Sequence, residues 1–163
     1  MRRFIRPLKD EEFVFATALA WRVFKRFEAP DYTDEGVENF YRFLTDDILY
    51  KMFLAGEYRM FACFEEGGTP GKKETMVGIV SLRERTHISL LFVEERCHRQ
   101  GIATALLRYV DEFLYNGLGE NKVTVNSSPY AVGFYHKFGF TDTEPETVKN
   151  GIRFTSMIHE ITG

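Results

Sequence analysis

Val93-Glu94-Glu95-Arg96-Cys97-His98-Arg99-Gln100-Gly101-Ile102-Ala103-Thr104-Ala105-Leu106-Leu107 is the stretch on which the fold turns. A nearly continuous apolar run from His87 to Val93 leads into it and reads as a central strand covered on both faces. A basic turn follows, and a helix opens at Gly101. Backbone N–H groups at a helix start lack intrahelical partners and carry partial positive charge, so they bind phosphate where small residues let a ligand approach. Gly101 and Ala103 are those small residues, and Arg96, His98 and Arg99 add local positive charge to a chain of net charge -3. A dinucleotide fingerprint would need G-x-G-x-x-G with an acid about 20 residues on, and a P-loop would need G-K-[ST]. Neither pattern is present in this stretch.

Upstream, Phe4 to Leu8 reads as a short strand and Asp10-Glu11-Glu12 as an acidic first helical turn. Phe13, Ala16, Leu19, Ala20, Val23, Phe24 and Phe27 then recur at the spacing of an amphipathic helix. Thr33-Asp34-Glu35 opens a second helix with Val37, Phe40, Tyr41 and Leu44 on its apolar face, and a short helical turn is expected over Asp46 to Leu54. Tyr58 to Phe64 and Met76 to Leu82 read as an antiparallel hairpin, joined by turn chemistry from Glu66 to Lys73.

Downstream, a helix from Gly101 to Leu118 should bury Ile102, Ala105, Leu106, Val110, Phe113 and Leu114. Lys122 to Val125 follows as a strand, a brief helix runs through Ala131, Phe134 and Tyr135 to Gly139, and Ile152 to Ile161 alternates as a last strand. This order predicts an α/β (α+β) fold with a mixed, partly parallel sheet rather than a doubly wound one. No repeat or linker divides the chain, so one domain spanning residues 1–163 is expected.

With 44% hydrophobic residues, 16 Phe and 8 Tyr, the chain can fill a sizeable core. Lys and Arg number 21 against 24 acids, which gives no global attraction for nucleic acid or an anionic membrane. The basic start has no apolar run behind it, and no segment reaches the roughly 18 apolar residues of a membrane span. Cys63 and Cys97 show neither metal-ligand nor disulfide-framework spacing, so no metal and a reduced, cytoplasmic setting are expected.

His98-Arg99-Gln100-Gly101-Ile102-Ala103 resembles the Q/R-x-x-G-x-G/A motif of the GNAT superfamily of acetyl-CoA-dependent N-acetyltransferases. Downstream, Ser128 to Phe140 is similar to that superfamily's A-x-x-F-Y-x-x-x-G-F segment. The likeness is specific over roughly Met76 to Phe140 and schematic before it. His98 departs from it by standing where Gln or Arg is usual, and Ser128 by standing where many members place an Asn. The resemblance implies a mostly antiparallel twisted sheet of six to seven strands, flanked by helices and splayed between the fourth and fifth strands. It implies acetyl-CoA as donor, with main-chain groups of Phe92 and Val93 pairing with the pantetheine arm. His98, Arg99, Gln100, Gly101, Ile102, Ala103 and Thr104 would hold the pyrophosphate, and Asn126 and Ser128 would add polar contacts where the sheet splays.

The implied reaction is direct attack by an uncharged primary amine on the acetyl thioester. By the same resemblance Tyr135 hydrogen-bonds the leaving sulfur. With ordinary pKa values near 10 and 8.5, full transfer of its proton to the thiolate is uphill by roughly 2 kcal/mol, so hydrogen bonding is the expected role. His87 stands where some members carry a catalytic glutamate, and it titrates in the useful range, which makes it the first candidate base. Glu28, Asp31 and Tyr32 lie in the loop between the first two helices, which commonly borders the acceptor site, so Glu28 and Tyr32 are substrate-binding candidates. Cys97 is not expected to act as a nucleophile. The partner is a small-molecule or peptide amine, with a homodimer possible by family habit. A noncatalytic acyl-CoA-binding regulatory module is the competing function.

Overall fold

The computed structural model of the chain describes residues 2–67, 70, 71 and 73–163. Residues 68, 69 and 72, part of the turn expected over 66–73, lie outside the described residues. In chain order the elements are β1 (Arg3–Pro7), α1 (Phe13–Phe27), α2 (Asp34–Thr45), α3 (Asp47–Leu54), β2 (Tyr58–Glu66), β3 (Glu74–Arg83) and β4 (His87–Val93). They continue as α4 (Ile102–Glu112), β5 (Lys122–Ser127), α5 (Val132–Phe138), β6 (Thr141–Asp142), β7 (Thr147–Lys149) and β8 (Ile152–Glu160). The sheet runs β1-β2-β3-β4-β5-β8-β6, with β7 also paired to β8.

Neighbours on the sheet are antiparallel except β4 and β5. Those two strands are parallel and pair only where His87 meets Thr124 and Ile88 meets Val125. The splay between the fourth and fifth strands is therefore present. Among the described residues the sheet has eight strands rather than six or seven. The additional ones are β6 and β7, short and exposed segments hung on β8 without an alternating apolar pattern to announce them.

Both faces of the sheet are covered. On one, Phe24 of α1, Leu44 of α2 and Leu49 of α3 share a core with Tyr58 and Leu90 of the sheet, and on the other Val80, Ile88, Val125 and Met157 share a core with Leu106 of α4 and Tyr135 of α5. The β4 strand carries a bulge, because Ser81 and Leu82 of β3 oppose Leu90 and Ile88, leaving Ser89 as the extra residue. That bulge moves the alternation by one place, so Ile88 joins one core and Leu90 and Phe92 the other. An apolar run without clean alternation is the sequence trace of this shift. The Tyr58 hydroxyl donates to Ser89 Oγ at 2.8 Å and lies 2.7 Å from Ser81 Oγ, satisfying the buried polar groups around the bulge.

Two expectations change along α4. Its buried stripe is Ile102, Leu106, Leu107 and Val110, with Ala105 in solvent, because the helix sits on β3 at Gly78. A Cβ at Gly78 would lie 3.1 Å from Ile102 and 3.2 Å from Leu106, so the missing side chain sets the close approach. The α-helix also ends at Glu112, and a π turn over Phe113–Gly117 carries the chain on with Leu114 fully buried.

The start of α2 is fixed to the turn between β7 and β8. Thr33 Oγ1 accepts from the Gly36 N–H at 3.2 Å, and the Thr33 N–H donates to the Gly151 carbonyl at 3.2 Å. A Cβ at Gly36 would stand 2.3 Å from that carbonyl oxygen, a backbone atom that cannot step aside alone. Gly36→Ala is accordingly expected to cost about 2 kcal/mol or more, read as a lower urea midpoint with unchanged slope.

Candidate functional site

Beyond Ile88 the edge of β4 that faces β5 has no strand beside it among the described residues. A cavity of about 690 Å³ opens there, with Leu91, Phe92 and Val93 of β4 on one side. Arg99, Gly101, Ile102, Ala103 and Thr104 form a second side, Val23, Phe27 and Glu28 at the end of α1 a third, and Tyr130, Ala131, Phe134 and Tyr135 the last. This divergence of two parallel strands brings a bare strand edge, a helix start and two helix ends together around one space.

The helix start has the shape of an anion cradle. Arg99 and Gly101 both take left-handed backbone, with φ of 62° and 83°. Such alternation turns successive N–H groups toward one concavity, in series with the unpaired N–H groups of the first turn of α4. A Cβ built at Gly101 meets nothing within 4 Å, so it would protrude into open space rather than into protein. These features fit a pyrophosphate.

A buried acid anchors this loop. Glu65 is 1% exposed, yet Arg3 bonds its carboxylate at 2.7 Å and Arg96 at 3.1 Å. Burial works to raise the Glu65 pKa, but the Arg3 and Arg96 hydrogen bonds prevail and hold it below the ordinary carboxylate range. Arg3 also donates to the Gln100 side chain, and Gln100 Nε2 donates to the Arg96 carbonyl at 3.2 Å. Gln100 is thus exposed and engaged with the loop's own supports, and its side chain does not line the cavity. His98 does line it, and its Nε2 donates to the Val93 carbonyl at 2.7 Å, which ties the loop back to β4.

Of the other candidates, Tyr135 lies in the cavity wall, 4% exposed, with its ring against Phe134 and Phe140. Burial, and then the nearby Glu28 charge, push its pKa well above the ordinary phenol value, so it remains an O–H donor throughout the working pH range. His87 is not brought to the cavity. It sits at the closed end of the wedge, with Nδ1 2.8 Å from Thr124 Oγ1, while the cavity begins at Leu91, roughly 13 Å along β4 at about 3.3 Å per residue. Burial, and then the charge of Arg83, also lower its pKa. Counting back along the sequence finds the strand position but not the depth of the cavity.

Asn126 is also outside the cavity. The flanking Val125 and Ser127 are buried, so strand alternation turns Asn126 to the opposite face, where its Oδ1 accepts from Ser156 Oγ at 2.9 Å. Tyr32 packs on Phe24 with ring centroids 5.3 Å apart and is not in the lining, and burial raises the pKa of its hydroxyl. Ser128 is 6% exposed, off the cavity surface, with no well-aligned partner for its hydroxyl. It lies beside the Glu28 carboxyl.

Glu28 is the acid in this wall whose surroundings are most unusual. Burial pushes its pKa up to about 7, the Ser128 hydroxyl works against that rise, and Asp31 adds to it. Sequence reasoning found Glu28 as a loop carboxylate but not the partners that change its chemistry. Phe27 and Tyr130 were missed as site residues. Their rings lie 5.2 Å apart, and Phe27 is 4.8 Å from the His98 ring, so three aromatic side chains meet at the cavity. Cys97 also lines the cavity, but it is 1% exposed, and burial raises its thiol pKa against nucleophilic use.

The family model for the acetyltransferase (GNAT) domain matches residues 28–161. A solved GCN5-related N-acetyltransferase from Rhodopseudomonas palustris superposes with a TM-score of 0.79 at 23% identity, covering 98% of this chain and 96% of that one. The PaiA N-acetyltransferase from Thermoplasma acidophilum, solved in complex with coenzyme A, gives 0.74 at 18% identity over 98% and 99%. A spermidine N-acetyltransferase SpeG chimera from Vibrio cholerae and hSSAT gives 0.66 at 17% identity over 98% and 96%. At these identities the likeness carries the fold.

A carboxyl whose pKa is raised by folding binds its proton more tightly in the native state. Its contribution is therefore greatest below the unfolded value and is lost as pH climbs toward about 7. Relative to Glu28→Gln, the wild-type protein is expected to lose about 2–3 kcal/mol of stability between pH 5 and 8, measured by denaturation at each pH. Parallel pH curves for the two proteins would show that Glu28 has no raised pKa.

Proposed function

The chain belongs to the GNAT acetyltransferases, and from that premise we propose that it moves an acetyl group from acetyl-CoA to a primary amine by direct attack. The observation that carries the reading is the convergence on one cavity of the Arg99–Gly101 cradle, the bare edge of β4 and the Tyr135 side chain. Main-chain groups of Phe92 and Val93 are the partners for the pantetheine arm, and N–H groups from Arg99 to Thr104 those for the pyrophosphate. Arg108 and Lys137 flank a second cavity of about 400 Å³, which shares Thr104 and Phe134 with the first and suits the remaining phosphate of the donor.

Acetyl-CoA supplies an activated thioester. The protein's part is to hold it, to place an uncharged amine against it, and to stabilise the charge that reaches sulfur. Tyr135 serves the last purpose as a hydrogen-bond donor, because its raised pKa keeps the proton on oxygen. Glu28 offers a carboxylate to a cationic acceptor. The spermidine N-acetyltransferase likeness supports an amine as the acceptor class.

Calorimetric titration with acetyl-CoA is expected to show saturable binding, with thiol release that depends on added amine. Tyr135→Phe should bind acetyl-CoA unchanged while kcat falls about 10- to 100-fold, the worth of one hydrogen bond to a charged group. No binding at millimolar ligand would reject the reading, and binding without turnover for any amine would favour a noncatalytic acyl-CoA-binding module.

A further inference from the structure

The acids lining the main cavity are Glu28 and Glu95. Glu95 is largely exposed, with its carboxylate 3.7 Å from Arg26. Asp31, near Glu28, is committed elsewhere, 3.7 Å from Arg153. Glu28 has no basic side chain against it among the described residues, and it closes α1 with its backbone N–H on the Phe24 carbonyl. The groups facing it are Asp31 and Tyr32 from the following turn, Ser128 from the end of β5 and Tyr135 from α5, with His98 and Arg99 elsewhere in the lining. A half-buried carboxylate lining an apolar cavity without a cation is an incomplete arrangement, because charge drawn out of water gains from a partner. The rest of that wall is apolar, formed by Val23, Phe27, Tyr130 and Phe134.

We propose that Glu28 is a catalytic carboxylate that seats the acceptor's ammonium and takes its proton, and that the cavity selects a primary amine with one positive charge on an apolar body. The proposal rests on the N-acetyltransferase reading and adds to it the proton acceptor and the acceptor class. An N–H bond of the ammonium breaks and its proton goes to the Glu28 carboxylate. The freed lone pair forms a C–N bond at the acetyl carbonyl carbon, and the C–S bond breaks with its electron pair on sulfur. The surplus proton on nitrogen goes to that sulfur, giving amide, thiol and a protonated Glu28 that returns its proton to water.

The environment of Glu28 suits this work. An alkylammonium near pKa 10.4 gives its proton to an ordinary carboxylate with an equilibrium constant of about 10⁻⁶, and to one titrating near 7 with about 10⁻³. Tyr135 occupies the same wall, so proton acceptor and sulfur-directed donor share one cavity. A polyamine would have to share Glu95, the other acid of the lining, with Arg26 at 3.7 Å, or leave its second ammonium against the apolar side chains.

The test compares wild type, Glu28→Gln and Glu28→Asp with phenethylamine and with spermidine as acceptors, alongside calorimetric titration with acetyl-CoA. Wild type is expected to favour phenethylamine at least about tenfold in kcat/KM. Glu28→Gln should bind acetyl-CoA normally, which also reports that it folds, lose about 10²- to 10⁴-fold in kcat, and lose the rise of kcat/KM with pH through about 7. Glu28→Asp should retain that rise. A Glu28→Gln enzyme with wild-type kcat and an intact pH profile, or with only a raised acceptor KM, overturns the proton-accepting role. Preference for spermidine overturns the acceptor class. A wild-type protein that binds no acetyl-CoA overturns the N-acetyltransferase reading, and the proposal falls with it.

Discussion

The parallel pairing of β4 and β5 stops after two residue pairs, and the rest of the site depends on that stop. On its other side each strand is fully paired. The β4 strand is held by β3 from His87 to Val93, and β5 is held by β8 from Lys122 to Ser127. The wedge is therefore a seam between two well-paired half-sheets that meet at one end. The open edge of β4, the start of α4 at its top and Tyr135 across from it all follow from where the gap begins.

The wedge alone would leave the phosphate loop without support. Left-handed backbone at Arg99 costs about 1 kcal/mol, and in this turn Cys97 and the His98 ring are packed while Arg96, Arg99 and Gln100 stay exposed. Glu65 answers this by drawing Arg96 of the loop and Arg3 of β1 onto one buried carboxylate, with Arg3 reaching on to Gln100. Removing either guanidinium would leave that carboxylate buried with less compensation, so the clamp is self-enforcing. Gln100 therefore acts on the cradle from behind, through the loop, although its place in the motif invites a reading as a ligand contact.

The elements legible in sequence were those whose signal is local. The central strand, the turn at Gly101 and the helix after it were readable because apolar runs, glycine and charge each act within a few residues. β6 and β7 were not, since two or three exposed residues pair with β8 through backbone alone. The same limit applied within the site. The motifs pointed to Arg99, Gly101 to Thr104 and Tyr135, which line the cavity, whereas the placement of His87 was a count along a strand, and a count does not show at which end the strands part. The character of Glu28 was invisible for a nonlocal reason. It is made first by burial, as α5 and the turn after β5, about a hundred residues further along the chain, close over it, and then by Asp31, while Ser128 works against the rise.

Seen in the fold, the two departures from the family pattern are local solutions to one geometry. His98 stands where Gln or Arg is usual, and its imidazole spends its N–H on the Val93 carbonyl while its ring meets Phe27. That contact brings the end of α1 toward the loop, and with it Glu28, the next residue. Ser128 stands where many members carry Asn, and its short side chain leaves the Glu28 carboxyl beside a single hydroxyl rather than an amide that would bond it fully. An amide donor there would lower the carboxyl's pKa and commit its oxygens. A lone serine leaves the acid raised and free, so the unusual histidine and the unusual serine both act on the one carboxylate that the cavity does not otherwise satisfy.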